Sequence, residues 1–128
     1  MPPDPRPHAE LRIPSDPRLL RVARVTAAAM AAELPFTVQD IEDLRVAVDE
    51  LAAAAIEGVS PDGVLDLRFQ VDGDELLVTG RVRAAGPPAE LHAVAVDLLG
   101  LVADGHELGT DGEDRVFRFT KRSGALAP

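Results

Sequence analysis

Residues 41–58, with the sequence IEDLRVAVDELAAAAIEG, contain the side chain best placed to do chemistry. On a helix of 3.6 residues per turn, Glu50 lies opposite a broad apolar arc. Asp43 and Glu57 lie one heptad before and after it, beside the small side chains of Ala47 and Ala54. Glu50 could serve as a general base, or it could be an ordinary solvent-exposed carboxylate. An acidic column beside methyl groups predicts a surface against which another group lies. The apolar arc consists of Ile41, Leu44, Val48, Leu51, Ala52, Ala55, Ile56 and Val59.

Other kinds of catalytic and metal chemistry find no support in the sequence. Cysteine is absent, which excludes disulfides and thiolate metal sites. The three histidines, at His8, His92 and His106, show no spacing typical of a metal site, and no metal is expected. Ser15 and Ser60 lack the sequence context of a nucleophile.

The overall charge argues against two classes of partner. The net charge of the 128-residue chain is −9, so phosphate backbones repel it and nucleic-acid binding is not expected. No stretch is apolar for long enough to span a bilayer, and the N-terminus does not read as a secretory signal. We therefore expect a cytoplasmic protein that does not bind membranes. Its acidity either suits a basic protein partner or only keeps the protein in solution.

A second group of charged residues precedes residues 41–58. Arg18, Arg21 and Arg24 recur at three-residue spacing, which places them on one ridge of a helix. This ridge is the predicted partner-binding surface. Alternatively, the arginine stems only cover apolar neighbours.

The elements that position these residues follow from periodicity and from turn residues. We expect a single domain at residues 10–122 between disordered tails at 1–9 and 123–128. A short edge strand at 10–14 precedes a helix that starts at Ser15-Asp16-Pro17. Thr37 and Asp40 form a capping-box-like pair that opens the helix at 38–58. Alternating residues at 65–71 and 76–82 predict a hairpin with a turn at Asp72-Gly73. A third helix ends at 102, and a last hairpin closes the chain at about 121.

This order, β-α-α-β-β-α-β-β, predicts a two-layer α/β sandwich. Tight turns between consecutive strands make the sheet mostly antiparallel, with four or five strands. Three helices would cover one face of the sheet.

Three stretches within this order resemble one family. They are ARVTAAAM at 23–30, DIEDLRVAVDELAAAAI at 40–56, and LLGLVADGHEL followed by VFRFTK. They are similar to the RsbW-type anti-sigma factors of the GHKL ATPase superfamily. The resemblance implies a protein that sequesters an alternative sigma factor. It also implies a kinase that uses ATP and Mg²⁺ to phosphorylate a serine of a STAS-domain anti-anti-sigma factor. In that family, an arginine in the ARVT stretch, here Arg24, lies at the partner-binding and dimer surface.

The family's catalytic residues match only in part. Glu50 stands at the position of the general base, but Ala54 replaces the asparagine that holds Mg²⁺. Arg83 and Ala84 stand where an adenine-reading aspartate belongs, and only Gly86 could match a glycine of that box. A connection of about four residues before the third helix leaves no room for a glycine-rich lid over the phosphates.

The sequence therefore predicts a degenerate member of the family, without expected catalytic or cofactor-binding residues. Our leading hypothesis is a regulatory protein-binding module, an anti-sigma factor-like partner-switching regulator of transcription. Its expected partners are an alternative sigma factor, a STAS-domain antagonist, or both, and it is expected to form a homodimer. The alternative is an active serine/threonine kinase that uses ATP and Mg²⁺. A third hypothesis is a scaffold that dimerises with an active paralogue.

Overall fold

The computed structural model describes residues 6–124 and forms one five-stranded sheet covered by three helices. Every pair of neighbouring strands is antiparallel, in the order β1-β2-β3-β5-β4. The predicted two-layer sandwich is therefore confirmed, with five strands. The elements are β1 (His8–Pro14), a 3₁₀ turn (Pro17–Leu19), α1 (Leu20–Ala31), α2 (Val38–Ile56), β2 (Val64–Asp72), β3 (Glu75–Arg83), α3 (Ala93–Val102), β4 (Gly105–Asp111) and β5 (Asp114–Arg122).

Several boundaries differ from those that the sequence predicted. β1 begins at His8 rather than Glu10, because it pairs along β2 as far as Gln70. At the other end, Ser123 is buried and donates from its hydroxyl to the Pro35 carbonyl at 2.8 Å. Both places were assigned to the tails; residues 1–5 and 125–128 lie outside the described residues. The connection between β3 and α3 covers residues 84–92 and is longer than predicted.

One hydrophobic core lies between the helices and the sheet. Alternate residues of the strands face the helices, and among them Phe69 and Phe119 are almost completely buried. Gly80 of β3 leaves room for Phe117 of β5, since a Cβ at that position would come within 2.1 Å of the phenylalanine ring. Because the rest of the buried core is aliphatic, three aromatic rings and the close approach of the Phe117 ring to Gly80 set much of its packing.

The N-terminus of α2 is held by groups from two parts of the chain, residues 37–40 and residues 121–124. The capping box is present: Asp40 accepts from the Thr37 N–H at 2.9 Å, and Thr37 accepts from the Asp40 N–H at 3.0 Å. Asp40 also accepts from the Gly124 N–H at 2.9 Å, after the end of β5. The ammonium of Lys121 lies 3.9 Å from the same carboxylate. The capping residue Asp40 thus also binds the C-terminal end of β5 to the start of α2.

These contacts change the acidity of Asp40. Burial by itself would raise its pKa, but hydrogen bonds from Thr37 and Gly124 to the carboxylate outweigh burial, and Lys121 adds to them. The pKa of folded Asp40 is therefore lower than its ordinary value of about 4. Since the folded pKa is depressed, this group stabilises the protein above the unfolded pKa, and the stabilisation is lost as the pH falls through the folded value.

Replacement of this carboxylate should therefore destabilise the protein most at neutral pH. We expect Asp40→Asn to lower the free energy of unfolding by about 1–3 kcal/mol at pH 7, because a buried charge-assisted acceptor is lost. The difference from wild type should shrink as the pH falls below about 4. Urea unfolding at pH 7 and pH 3 measures this, with Asp62→Asn in an exposed loop as the control. A difference that stays the same at both pH values would contradict the linkage.

Candidate functional site

Glu50 lies half-buried on α2, and the acidic column around it does not form one continuous surface. Asp43 faces the C-terminal end of β5, where the Lys121 ammonium lies 3.4 Å from its carboxylate. Glu57 is exposed and follows the last residue of α2. The three acids thus have different surroundings, although they share one helical face in sequence.

The alanines beside Glu50 do not lie on an open surface either. Ala47 is completely buried and Ala54 is 8% exposed, because α2 packs against α1 on one side and α3 on the other. The sequence predicted that this arc faces a separate group. The structure corrects that prediction: other helices of the same chain cover much of it.

A groove between α2 and the segment leading into α3 contains the position of the matched general base. We call it the α2–α3 groove; it has a volume of about 430 Å³ and includes Glu50 and Ala54. Its ionisable side chains are Glu50, Glu57, Glu90 and His92, and none of its described lining residues is lysine or arginine. Carboxylates repel phosphate groups, and a methyl at Ala54 offers no oxygen to a magnesium ion.

Arg115 at the start of β5 occupies a central position beside this groove. Its side chain is buried, and its guanidinium donates to the carbonyls of Ala55 at 3.1 Å and Glu57 at 2.7 Å, at the end of α2. It also donates to the carbonyls of Ala85 at 3.3 Å and Gly86 at 3.4 Å. One cation thus satisfies carbonyls that the end of a helix leaves free and joins them to the connection after β3.

The segment compared with the adenine-reading box therefore forms contacts within the chain itself. Arg83 is exposed and its guanidinium lies 2.6 Å from the Glu113 carboxylate, while Ala84 donates from its N–H to the Glu113 carbonyl at 3.3 Å. Gly86 takes a positive φ of 78° and turns its carbonyl to Arg115. Sequence reasoning missed Arg115, although it shares the alternation of Phe117 and Phe119 and so had to face the helices.

The three arginines of the predicted partner surface lie in three different settings. Arg18 belongs to the 3₁₀ turn and pairs with Asp16 at 2.7 Å. Arg24, on α1, forms an ion pair with Asp49 of α2. Arg21 is exposed and makes no ion pair within residues 6–124. Only Arg21 therefore presents an uncompensated charge, whereas Arg24 also joins two helices.

The described residues contain no arrangement that suggests a metal or a membrane span. Within residues 6–124, no three His, Asp or Glu side chains are grouped so that they could hold a metal ion. Over the same residues, no helix has the length and apolar character needed to cross a bilayer.

The antiparallel sheet with three helices on one face defines a two-layer α/β sandwich. Serine-protein kinase RsbW from Bacillus velezensis is 34% identical over 74 residues, which cover 56% of this chain and 46% of that protein. RsbW from Bacillus subtilis is 30% identical over a stretch of the same length and coverage. RsbW from Bacillus licheniformis is 25% identical over 101 residues, covering 68% of this chain and 63% of that protein.

A solved structure shares the fold. The crystal structure of the RsbU and RsbW domains of a Mycobacterium tuberculosis protein covers 91% of this chain and 32% of that chain, with a TM-score of 0.66 and 16% identity. No protein-family model matches the chain. The chain spans about half the length of the first of these relatives. The sequence matches and the common fold confirm the resemblance to RsbW-type proteins.

Removal of the Arg115 guanidinium should loosen the end of α2 and the connection after β3. We expect Arg115→Leu to lower the free energy of unfolding by about 2–4 kcal/mol, because carbonyls buried around the guanidinium lose their donor. Arg115→Lys should lose less, since a single ammonium keeps part of the contact. Arg83→Leu removes an exposed pair and should cost under about 1 kcal/mol.

Urea unfolding measures these differences, and hydrogen exchange over residues 84–92 locates them. Faster exchange in that segment for Arg115→Leu, but not for Arg83→Leu, is the expected pattern. Equal effects of the two substitutions would mean that Arg115 does not join the two segments.

Proposed function

We propose that this chain is a regulatory protein-binding module, an anti-sigma factor-like partner-switching regulator that works without nucleotide. The observation that carries the proposal is the Arg115 guanidinium, bonded to the end of α2 and to the segment compared with the adenine-reading box. The fold of an RsbW-type protein is kept, while that segment is bonded within the chain itself. The proposed place of action is the cytoplasm.

The groove chemistry supports binding rather than phosphoryl transfer. A kinase needs positive groups and a metal to neutralise the charge that develops on the transferred phosphoryl group. The α2–α3 groove instead contains three carboxylates and a methyl at the position of the metal ligand. Glu50 would therefore lack both the metal and the phosphates that a general base serves.

The proposed partner is an alternative sigma factor, a STAS-domain antagonist, or both, as the resemblance implies. We propose that it contacts the exposed side of α1 and the 3₁₀ turn before it, where Arg18 and Arg21 are exposed and Arg24 is partly exposed. Val25 on the same helix is 65% exposed, four residues after Arg21. A cation beside an apolar side chain suits an acidic, partly apolar surface on the partner. The resemblance also implies that the module acts as a homodimer.

The proposal of a nucleotide-free module predicts no detectable binding of Mg-ATP. Loss of each charge-assisted contact costs roughly 1.5–3 kcal/mol, so loss of the metal ligand and the adenine-reading acid together should remove millimolar affinity. Isothermal titration calorimetry with Mg-ATP is the measurement. Ala54→Asn alone should not restore binding, because Arg115 still holds the segment after β3. A micromolar isotherm that Glu50→Gln weakens would favour the serine/threonine kinase instead.

The partner surface is best tested at Arg21. A pull-down with mass spectrometry identifies the partner, and the affinity is then measured for wild type and Arg21→Glu. We expect a loss on the order of 2 kcal/mol, since the substitution removes an attractive charge and adds a repulsive one. Arg24→Glu is less informative, because it also sets a carboxylate against Asp49.

The matched control is Arg118→Glu, on the face of the sheet away from the helices. Arg118 is exposed and, like Arg21, makes no ion pair within the described part of the chain. Unchanged affinity for Arg21→Glu, together with a loss for Arg118→Glu, would move the interface to the sheet. A loss that fades as salt is added would place Arg21 at the rim of the contact.

A further inference from the structure

Helix α3 exposes large apolar side chains that nothing in the described chain covers. Its sequence, AVAVDLLGLV, contains one charged residue, yet only Leu99 and Val102 are buried. Val94 is 78% exposed and Leu101 is 81% exposed. A surface helix of a globular protein normally turns polar side chains outward. The exposed part of α3 therefore has the composition of a contact surface rather than of a solvated one.

The exposed side chains lie close together on the helix. Val94, Leu98 and Leu101 follow the spacing i, i+4, i+7, so they fall within about 60° of one another around the axis. Leu98 is partly buried and packs against the core, which fixes the inner edge of this row. We call these three residues the α3 stripe. Such a row is the surface that an amphipathic helix of a partner packs against.

The unpaired charged side chains next to the α3 stripe in the chain are acidic. Residues 84–114 contain seven aspartates and glutamates and no lysine or arginine, and three of the acids, Asp111, Glu113 and Asp114, pair with arginines of β3. Among the other acids, Glu90 and Asp97, which lie next to or within α3, are exposed and make no ion pair within residues 6–124. A second copy of the chain would bring these same carboxylates together, and an anionic lipid surface would be repelled. The negative electrostatic potential of these carboxylates favours a basic partner.

We propose that the α3 stripe binds a basic amphipathic helix of a partner protein. Leucine-like side chains of that helix would cover Val94 and Leu101, and its lysines or arginines would face Asp97 and Glu90. The proposal goes beyond the function proposed above, which concerns α1. Since α2 packs against both α1 and α3, the two surfaces can be tested separately.

A designed helical peptide, with leucines on one face and lysines on the other, is the probe. We expect it to bind the wild-type chain in a fluorescence anisotropy titration and to bind Leu101→Asp at least tenfold more weakly. Val38→Asp is the matched control, because Val38 is 79% exposed on another helix and gains the same charge. If net charge alone attracted the peptide, both substitutions would strengthen binding, and the proposal would be wrong.

Further variants separate the apolar and the charged parts of the proposed surface. Val94→Asp should weaken binding of the peptide, as Leu101→Asp does. Circular dichroism checks that both variants remain folded. Asp97→Lys should weaken binding several-fold at low salt and have less effect at high salt. A peptide in which glutamates replace the lysines should not bind.

Three results would overturn the proposal. One is equal binding of the leucine–lysine peptide to wild type and Leu101→Asp. Another is equal binding of the glutamate peptide. The third is a dimer in sedimentation experiments, or attachment to vesicles of phosphatidylcholine and phosphatidylglycerol, that Leu101→Asp abolishes while the leucine–lysine peptide does not bind wild type.

Discussion

Close packing around α2 is the constraint on which the rest of the structure depends. Ala47, Ala52 and Ala55 are completely buried, and small residues of α1, such as Ala23 and Ala27, are buried as well. Methyl side chains allow two helices and a sheet to approach α2 from different sides. The sheet alone would be enough to bury the apolar arc of α2. Ala47 and Ala54 lie outside that arc and are also buried, because α1 and α3 cover the flanks of α2, and this determines which side chains of α2 remain accessible.

Burial on several sides leaves the ends of α2 as the place where polar groups must be satisfied. Residues of β5, or just after it, bond to these polar groups at both ends of α2. Lys121 and the residues just after β5 reach the N-terminus of α2, where Asp40 accepts from Gly124. Arg115, at the other end of β5, donates to carbonyls at the C-terminus of α2. Both arginine and lysine lie on the side of β5 that carries Phe117 and Phe119, so one strand provides core packing and both helix anchors.

The same arrangement connects stability with function. An arginine that joins α2 to the connection after β3 stabilises the fold, and it also holds the segment that an RsbW-type kinase would use for adenine. In the proposed function, loss of nucleotide chemistry and gain of a fixed connection are two effects of one side chain. The remaining accessible surfaces differ in charge: the exposed side of α1 carries Arg21, whereas α3 is apolar among unpaired carboxylates. Two partners of opposite charge could therefore be bound by one small domain.

Sequence by itself determined the features that depend on neighbouring residues. Alternation specified the strands and their hairpins, helical periodicity specified α1 and α2, and the pair Thr37 and Asp40 specified the start of α2. The match of Glu50 and the mismatch at Ala54 were also readable, because they need only position along a helix. Tertiary structure decided that Arg24 pairs with Asp49, that Ala47 and Ala54 are covered, and that Arg115 reaches Glu57. These contacts join residues 25 to 58 positions apart, or place whole helices side by side. Local periodicity fixes which side of an element a residue occupies, but only the packing of elements fixes what that side meets.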